Sequence, residues 1–201
     1  MSLKALFRHF REMKIYFLVV IVLFILGVVL GTLHWNQALL DQQLKAISEI
    51  ANSVDGKDSI ELSLFWVILK NNVVAMLVMV VSGILFAVFP IFSIFTNGLL
   101  LGYVGEQAVQ STGLVQLAKG IIPHGVLEIP ALIIACAYGL RLGVLAVQAI
   151  ISLFSETRRQ SFGIEAPRLM KLMVPLTGFL IGLLLVAALI ESTISFWLVQ
   201  G

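Results

Sequence analysis

Residues 123–131 read Pro123-His124-Gly125-Val126-Leu127-Glu128-Ile129-Pro130-Ala131, and how this stretch sits in its apolar surroundings decides the architecture. The flanking segments are rich in Ile, Leu and Ala, so an imidazole and a carboxylate are carried into a lipid-like environment. A charge at bilayer depth costs roughly 3 kcal/mol on insertion scales, and such residues normally face a protein interior or a wet cavity. In an unbroken helix His124 and Glu128 share one face. The prolines argue against that arrangement. Pro130 biases Ile129 away from the helical region and itself suits a first helical position. The expectation is a broken or re-entrant segment over residues 121–130, with regular helix from Pro130 onward. Such backbone survives at membrane depth only where protein or water satisfies it.

The rest of the chain fits this environment. Of its 201 residues 60% are hydrophobic and 12% charged, about half the charged share of a soluble domain. The fold class is all-α: a polytopic integral membrane protein forming one transmembrane domain over residues 1–201, with the lipid bilayer as its first partner. A net charge of +2 leaves no footprint for nucleic acid. The lone Cys136 rules out an internal disulfide and a cysteine cluster. The first apolar run is too long for a cleavable signal peptide.

Residues 1–14 interleave Lys4, Arg8, His9, Arg11, Glu12 and Lys14 with Leu3, Leu6, Phe7 and Phe10, the pattern of a short basic amphipathic helix on a membrane surface. Residues 15–35 form the first span. Its Gly27 and Gly31 have the spacing that lets another helix approach closely. Residues 36–65 form an acidic amphipathic segment with a turn at Asp55-Gly56-Lys57-Asp58. From Asn71 to Gly105 there is no charged residue. Pro90 is expected to break that run into helices over 66–89 and 91–110. Asn97 and Gly98 fall in the second of these, where Asn97 is expected to bond across to another helix. Glu106 near its end sits at the interface or partners the 123–131 motif.

A long apolar helix then runs to about residue 154 with Arg141 inside it. Arg141 and Glu128 are separated by roughly 20 Å of helix, so each needs a partner elsewhere or must snorkel. Residues 155–171, with Arg158, Arg159, Arg168 and Lys171, read as a basic loop. The last span, about 172–193, contains Gly178 and Gly182, with Glu191, Phe196 and Trp197 at its far interface. Basic short loops stay cytoplasmic. Five spans with residues 1–14 and 155–171 inside put residues 36–65 outside, with the N-terminus in and the C-terminus out.

Asn72, Asn97-Gly98 followed by Gly102, and Pro123-His124-Gly125 with Glu128 and Pro130-Ala131 together resemble the stage II sporulation protein M family of bacterial and archaeal membrane proteins. The resemblance covers nearly the whole chain, and the Pro-His-Gly-x-x-Glu-x-Pro-Ala block is its most specific part. It implies a multi-pass protein of the bacterial plasma membrane. It further implies an anchor for two peptidoglycan-degrading partners, a lytic transglycosylase and an amidase/endopeptidase, acting at the septum during sporulation.

Read without the resemblance, His124 and Glu128 are the two candidate ligands for a divalent metal. A zinc site wants three or four, and no His-Glu-x-x-His occurs. No metal or other cofactor is therefore expected. The main expectation is that both residues make hydrogen bonds that fix the local backbone, the sharper one that they belong to a proton or solute pathway. No catalytic triad or phosphate loop is present, so the chain is not expected to be an enzyme. Two function classes stand. One is a non-catalytic scaffold; the other is a small permease or transport-complex subunit with a His/Glu site. A homo-oligomer, a dimer, is expected through Gly27/Gly31 or Gly178/Gly182.

Overall fold

The computed structural model describes residues 3–52 and 60–190, and of residues 3–5, 7, 46–52, 60–64, 112 and 114–124 only the backbone. The expected turn at Asp55–Asp58 and the interface at Glu191, Phe196 and Trp197 lie outside the described residues. Within them the chain is all helix: α1 Leu3–Glu12, α2 Lys14–Thr32, α3 Gln37–Asn52, α4 Ile60–Ser82, α5 Val88–Thr112, α6 Leu114–Ser152 and α7 Glu156–Ile190. Five of these helices are long and apolar enough to cross a membrane: α2, α4, α5, α6 and α7.

Three boundaries differ from the sequence expectation, each for a physical reason. The break between α4 and α5 is not at Pro90 but at residues 83–87, where Phe86 and Ala87 take left-handed φ angles of 56° and 60°. Pro90 lies in the first turn of α5, where its missing N–H would have had no helical partner anyway. The 121–130 segment is neither broken nor re-entrant: α6 continues through both Pro123 and Pro130. A proline in a helix frees one or two carbonyls, whereas a non-helical segment would strand many backbone groups in lipid. The continuous helix is the cheaper solution. Finally, residues 156–171 are not a loop but the first half of α7, which carries Pro167 and Pro175 inside it. Charge there marked exposure to water rather than loss of helix. The connection between α6 and α7 is residues 153–155 alone.

Close glycine contacts set the packing. Gly27 and Gly31 of α2 face Phe95, Leu99 and Tyr103 of α5, while Gly98 and Gly102 of α5 face Phe24 and Val28 of α2. A Cβ at any of these four would collide with a backbone carbonyl of the other helix. Contacts rise in step along both helices, so α2 and α5 are parallel and cross through two interlocked Gly-x-x-x-Gly motifs. Gly27 and Gly31 are thus used within the chain and not for association between chains, correcting half of that expectation. A Cβ at Gly178 or Gly182 would meet no atom of another helix within 4 Å among the described residues.

A second crossing joins α4, α5 and α6. A Cβ at Gly139 would lie 2.7 Å from the Pro90 ring and 2.5 Å from the Met79 carbonyl, and one at Gly143 would lie 2.6 Å from the Ala87 Cβ. The left-handed turn at 83–87 is therefore pressed onto a glycine face of α6. Against α6 lies α7, whose buried stripe is Leu169, Leu172, Leu176, Leu180 and Leu184. These recur every three or four residues, so they form one face. Tyr138, Cys136, Ile94 and Leu176 are among the most deeply buried side chains of the resulting core.

Overpacking a close crossing costs about 1–3 kcal/mol, and a leucine at Gly98 meets backbone that cannot yield. Gly98→Leu should lower the melting temperature in mild detergent clearly, while Gly178→Leu should leave it near wild type. Equal melting temperatures for the two variants would contradict the α2–α5 crossing.

Candidate functional site

Polar side chains gather at two levels of the bundle. On the side reached by the end of α2, Asn72 of α4 donates from Nδ2 to Glu128 Oε1 of α6. The spacing that pairs residue 72 with 128 also pairs Gly83 with Gly139, so α4 and α6 run parallel and hold both contacts in one register. Asn72 and Glu128, two residues singled out from the sequence, are thus brought together across 56 positions of chain. Gly125 is half-buried and Pro130 is exposed. Pro123 and His124 lie in the helix backbone, and their side chains are outside the described ones.

On the same side, Glu106 Oε2 lies 2.8 Å from His34 Nε2, and Glu106 also accepts from Gln110. The His34 ring meets Tyr103 edge-on at 5.2 Å. Glu106 is thereby tied to the end of α2. Asn97 corrects another expectation. Its Nδ2 donates to the Ser93 carbonyl of its own helix at 2.8 Å, not to another helix. Its neighbour Gly98 does the interhelical work instead.

The second level lies at the start of α2. Arg141 donates to Tyr16 Oη at 2.8 Å and to Glu165 Oε2 at 2.6 Å, and its guanidinium stacks over the Tyr16 ring at 5.4 Å. One cation thereby joins α6 to both α2 and α7. The fully buried Tyr138 hydroxyl is 3.0 Å from His9 Nδ1, and Phe10 meets the Tyr138 and Phe179 rings edge-on. Arg168 donates to Glu12 at 2.8 Å. So α1 does not merely lie on a membrane: Leu6 and His9, and Met13 just after the helix, are buried in the bundle, while Arg8 and Arg11 stay exposed.

Of this second level sequence reasoning singled out Arg141, as a charge needing a partner elsewhere, but missed the His9–Tyr138 contact. The signal was present in the i, i+3, i+7 spacing of Leu6, His9 and Met13, and in the Gly139/Gly143 pair beside Tyr138. A histidine on a short basic helix, however, looks like one more surface cation.

Among the described residues no group of three or more His, Cys, Asp or Glu side chains comes together to hold a metal. What the fold and these contacts define is a multi-pass α-helical membrane protein with polar contacts between helices at two levels. The sequence matches the stage II sporulation protein M family over residues 20–196, and the chain belongs to that family. It is also 28% identical over 127 residues to an uncharacterized protein of Methanocaldococcus jannaschii, a match that takes in 63% of this chain and 53% of that one. The chain thus spans about half the length of this curated relative. No solved structure matches.

Burial holds the His9 imidazole below its ordinary pKa of 6.5, opposed by Glu12 and reinforced by Arg168 and Arg141. A depressed pKa on a base means the unfolded chain takes up the proton first. The docked state therefore has its full stability above about pH 6.5 and loses it as the pH falls below that value. The melting temperature in detergent should drop on going from pH 7.5 to 5, and His9→Gln should flatten that part of the profile. An unchanged slope in His9→Gln would mean His9 does not titrate with folding.

Proposed function

We propose that this protein is a non-catalytic scaffold of the cell membrane, a rigid helical platform that holds partner proteins at its surface. Support comes chiefly from one observation: the carboxylate of the 123–131 motif is held by Asn72 of a neighbouring helix. A group in a conduction path must be free to exchange partners with solute or proton. A group that joins two helices is better suited to fixing their register. The engagement of Arg141 by Tyr16 and Glu165, and of Glu106 by His34, follows the same logic.

The family resemblance suggests the class of partner: enzymes that cut peptidoglycan, a lytic transglycosylase and an amidase/endopeptidase, gathered at a septum in sporulating cells. Exposed Arg8, Arg11, Lys14, Arg158, Arg159, Arg168 and Lys171 all belong to the end of the bundle where α1 docks on α7. By the positive-inside rule that end faces the cytoplasm.

The experiment is to compare wild type with Glu128→Gln in two assays. One is co-purification with candidate cell-wall hydrolases expressed in the same cells. The other is proton flux in liposomes containing the purified protein alone. A scaffold retains its hydrolase in both forms and gives no flux above empty liposomes. Flux that wild type shows and Glu128→Gln lacks would replace this reading with a transport function.

A further inference from the structure

The end of the α6–α7 hairpin reaches past the rest of the bundle. Helix α2 begins at Lys14, and the α4–α5 turn closes at residues 83–87 against Gly139 and Gly143. At that same level Arg141 meets Tyr16 and Glu165. Beyond it α6 continues from Leu142 to Ser152, roughly 16 Å of helix, and the chain returns as the first turns of α7. The two limbs differ in character. Residues 142–154 contain no charge, whereas the returning limb exposes Glu156, Arg158 and Arg159.

On the outgoing limb, Val147 and Ile151 extend the helix face on which Gly139 and Gly143 receive the turn. Nothing described covers that extension: both are exposed, and at the tip Leu153 is 69% and Phe154 85% exposed. The turn above is likewise apolar, with Ile84, Leu85 and Phe86 exposed. An exposed apolar surface thus runs from the turn onto the hairpin end, and the exposed Arg158 and Arg159 follow four and five residues after Phe154. Length points the same way. The apolar stretch of α6, Gly125–Ser152, has 28 residues, whereas about 20 cross the hydrocarbon core.

We propose that α6 crosses the bilayer at a tilt that takes up its excess apolar length, so that the hairpin end, residues 142–159, stays at the bilayer surface instead of projecting into water. Val147, Ile151 and Phe154 enter the boundary between headgroups and acyl chains, and Arg158 and Arg159 take the phosphates of anionic phospholipids. An apolar edge bordered by cations is the pattern of an element lying in the interfacial plane, and each Lys or Arg near an anionic surface adds to the attraction.

The test places a nitroxide label at Phe154→Cys in a Cys136→Ala background. The protein is held in nanodiscs of phosphatidylcholine with or without phosphatidylglycerol, and collisions with oxygen and with a water-soluble nickel chelate are measured. A label at Val174→Cys, on the exposed face of the last span, gives the lipid reference, and a free nitroxide in buffer gives the water reference. Leu153→Cys serves if Phe154→Cys does not give a monodisperse protein. The label at 154 should be oxygen-accessible and nickel-shielded, like that at 174. It should lie deeper when phosphatidylglycerol is present, and Arg158→Gln with Arg159→Gln should abolish that difference. A nickel-accessible label would put the tip in water, and one shielded from both reagents would put it against protein; either overturns the proposal. Depth that ignores phosphatidylglycerol overturns the arginine–phosphate part.

Discussion

Lipid offers no hydrogen bonds, and that scarcity governs this structure. Any polar group carried by a membrane helix must find its partner on the protein or stay at the edge. Arg141 shows the consequence most plainly. It sits too far along α6 from Glu128 for the two to meet, so its charge is satisfied sideways, by Tyr16 on α2 and Glu165 on α7. Three helices are thereby held in one register by one guanidinium. Its planar fork allows two directed bonds at once, which a lysine would not match. The outer pair Glu12–Arg168 is half exposed on both sides and contributes little by comparison.

Glycine supplies the complementary constraint. Hydrophobic burial gives no drive for one helix to prefer another over lipid, so specificity comes from close backbone approach and from the few polar ties. The α2–α5 crossing uses Gly27, Gly31, Gly98 and Gly102; the α4–α5 turn uses Gly139 and Gly143. These crossings fix the levels at which Asn72 meets Glu128 and His34 meets Glu106. Side-chain chemistry and glycine placement thus determine the same register twice, from independent residues.

Much of this was legible in the sequence. Uninterrupted apolar runs gave the five spans, and the Pro-His-Gly-x-x-Glu-x-Pro-Ala block with Asn72 marked the residues that do come together in part. What the sequence hid depended on competition between local and environmental terms. Proline rules derived from water read Pro123 and Pro130 as a break, yet lipid penalises broken backbone more than a kinked helix. The charges of residues 156–171 looked like a loop because solvation, not loop geometry, is what charge reports. Helix α1 looked like a surface anchor because the burial of His9 depends on Tyr138, 129 positions away.

The central claim is that Glu128 is a structural tie between α4 and α6. The most direct measurement is a double-mutant cycle on unfolding in detergent, with Asn72→Ala, Glu128→Ala and the pair together. A tie predicts that the two single losses do not add, with a coupling of about 0.6 kcal/mol, the average for hydrogen bonds between membrane helices, and at most about 1.7 kcal/mol. Strictly additive losses, or single variants as stable as wild type, would contradict it and return the motif carboxylate to the list of groups awaiting a chemical role.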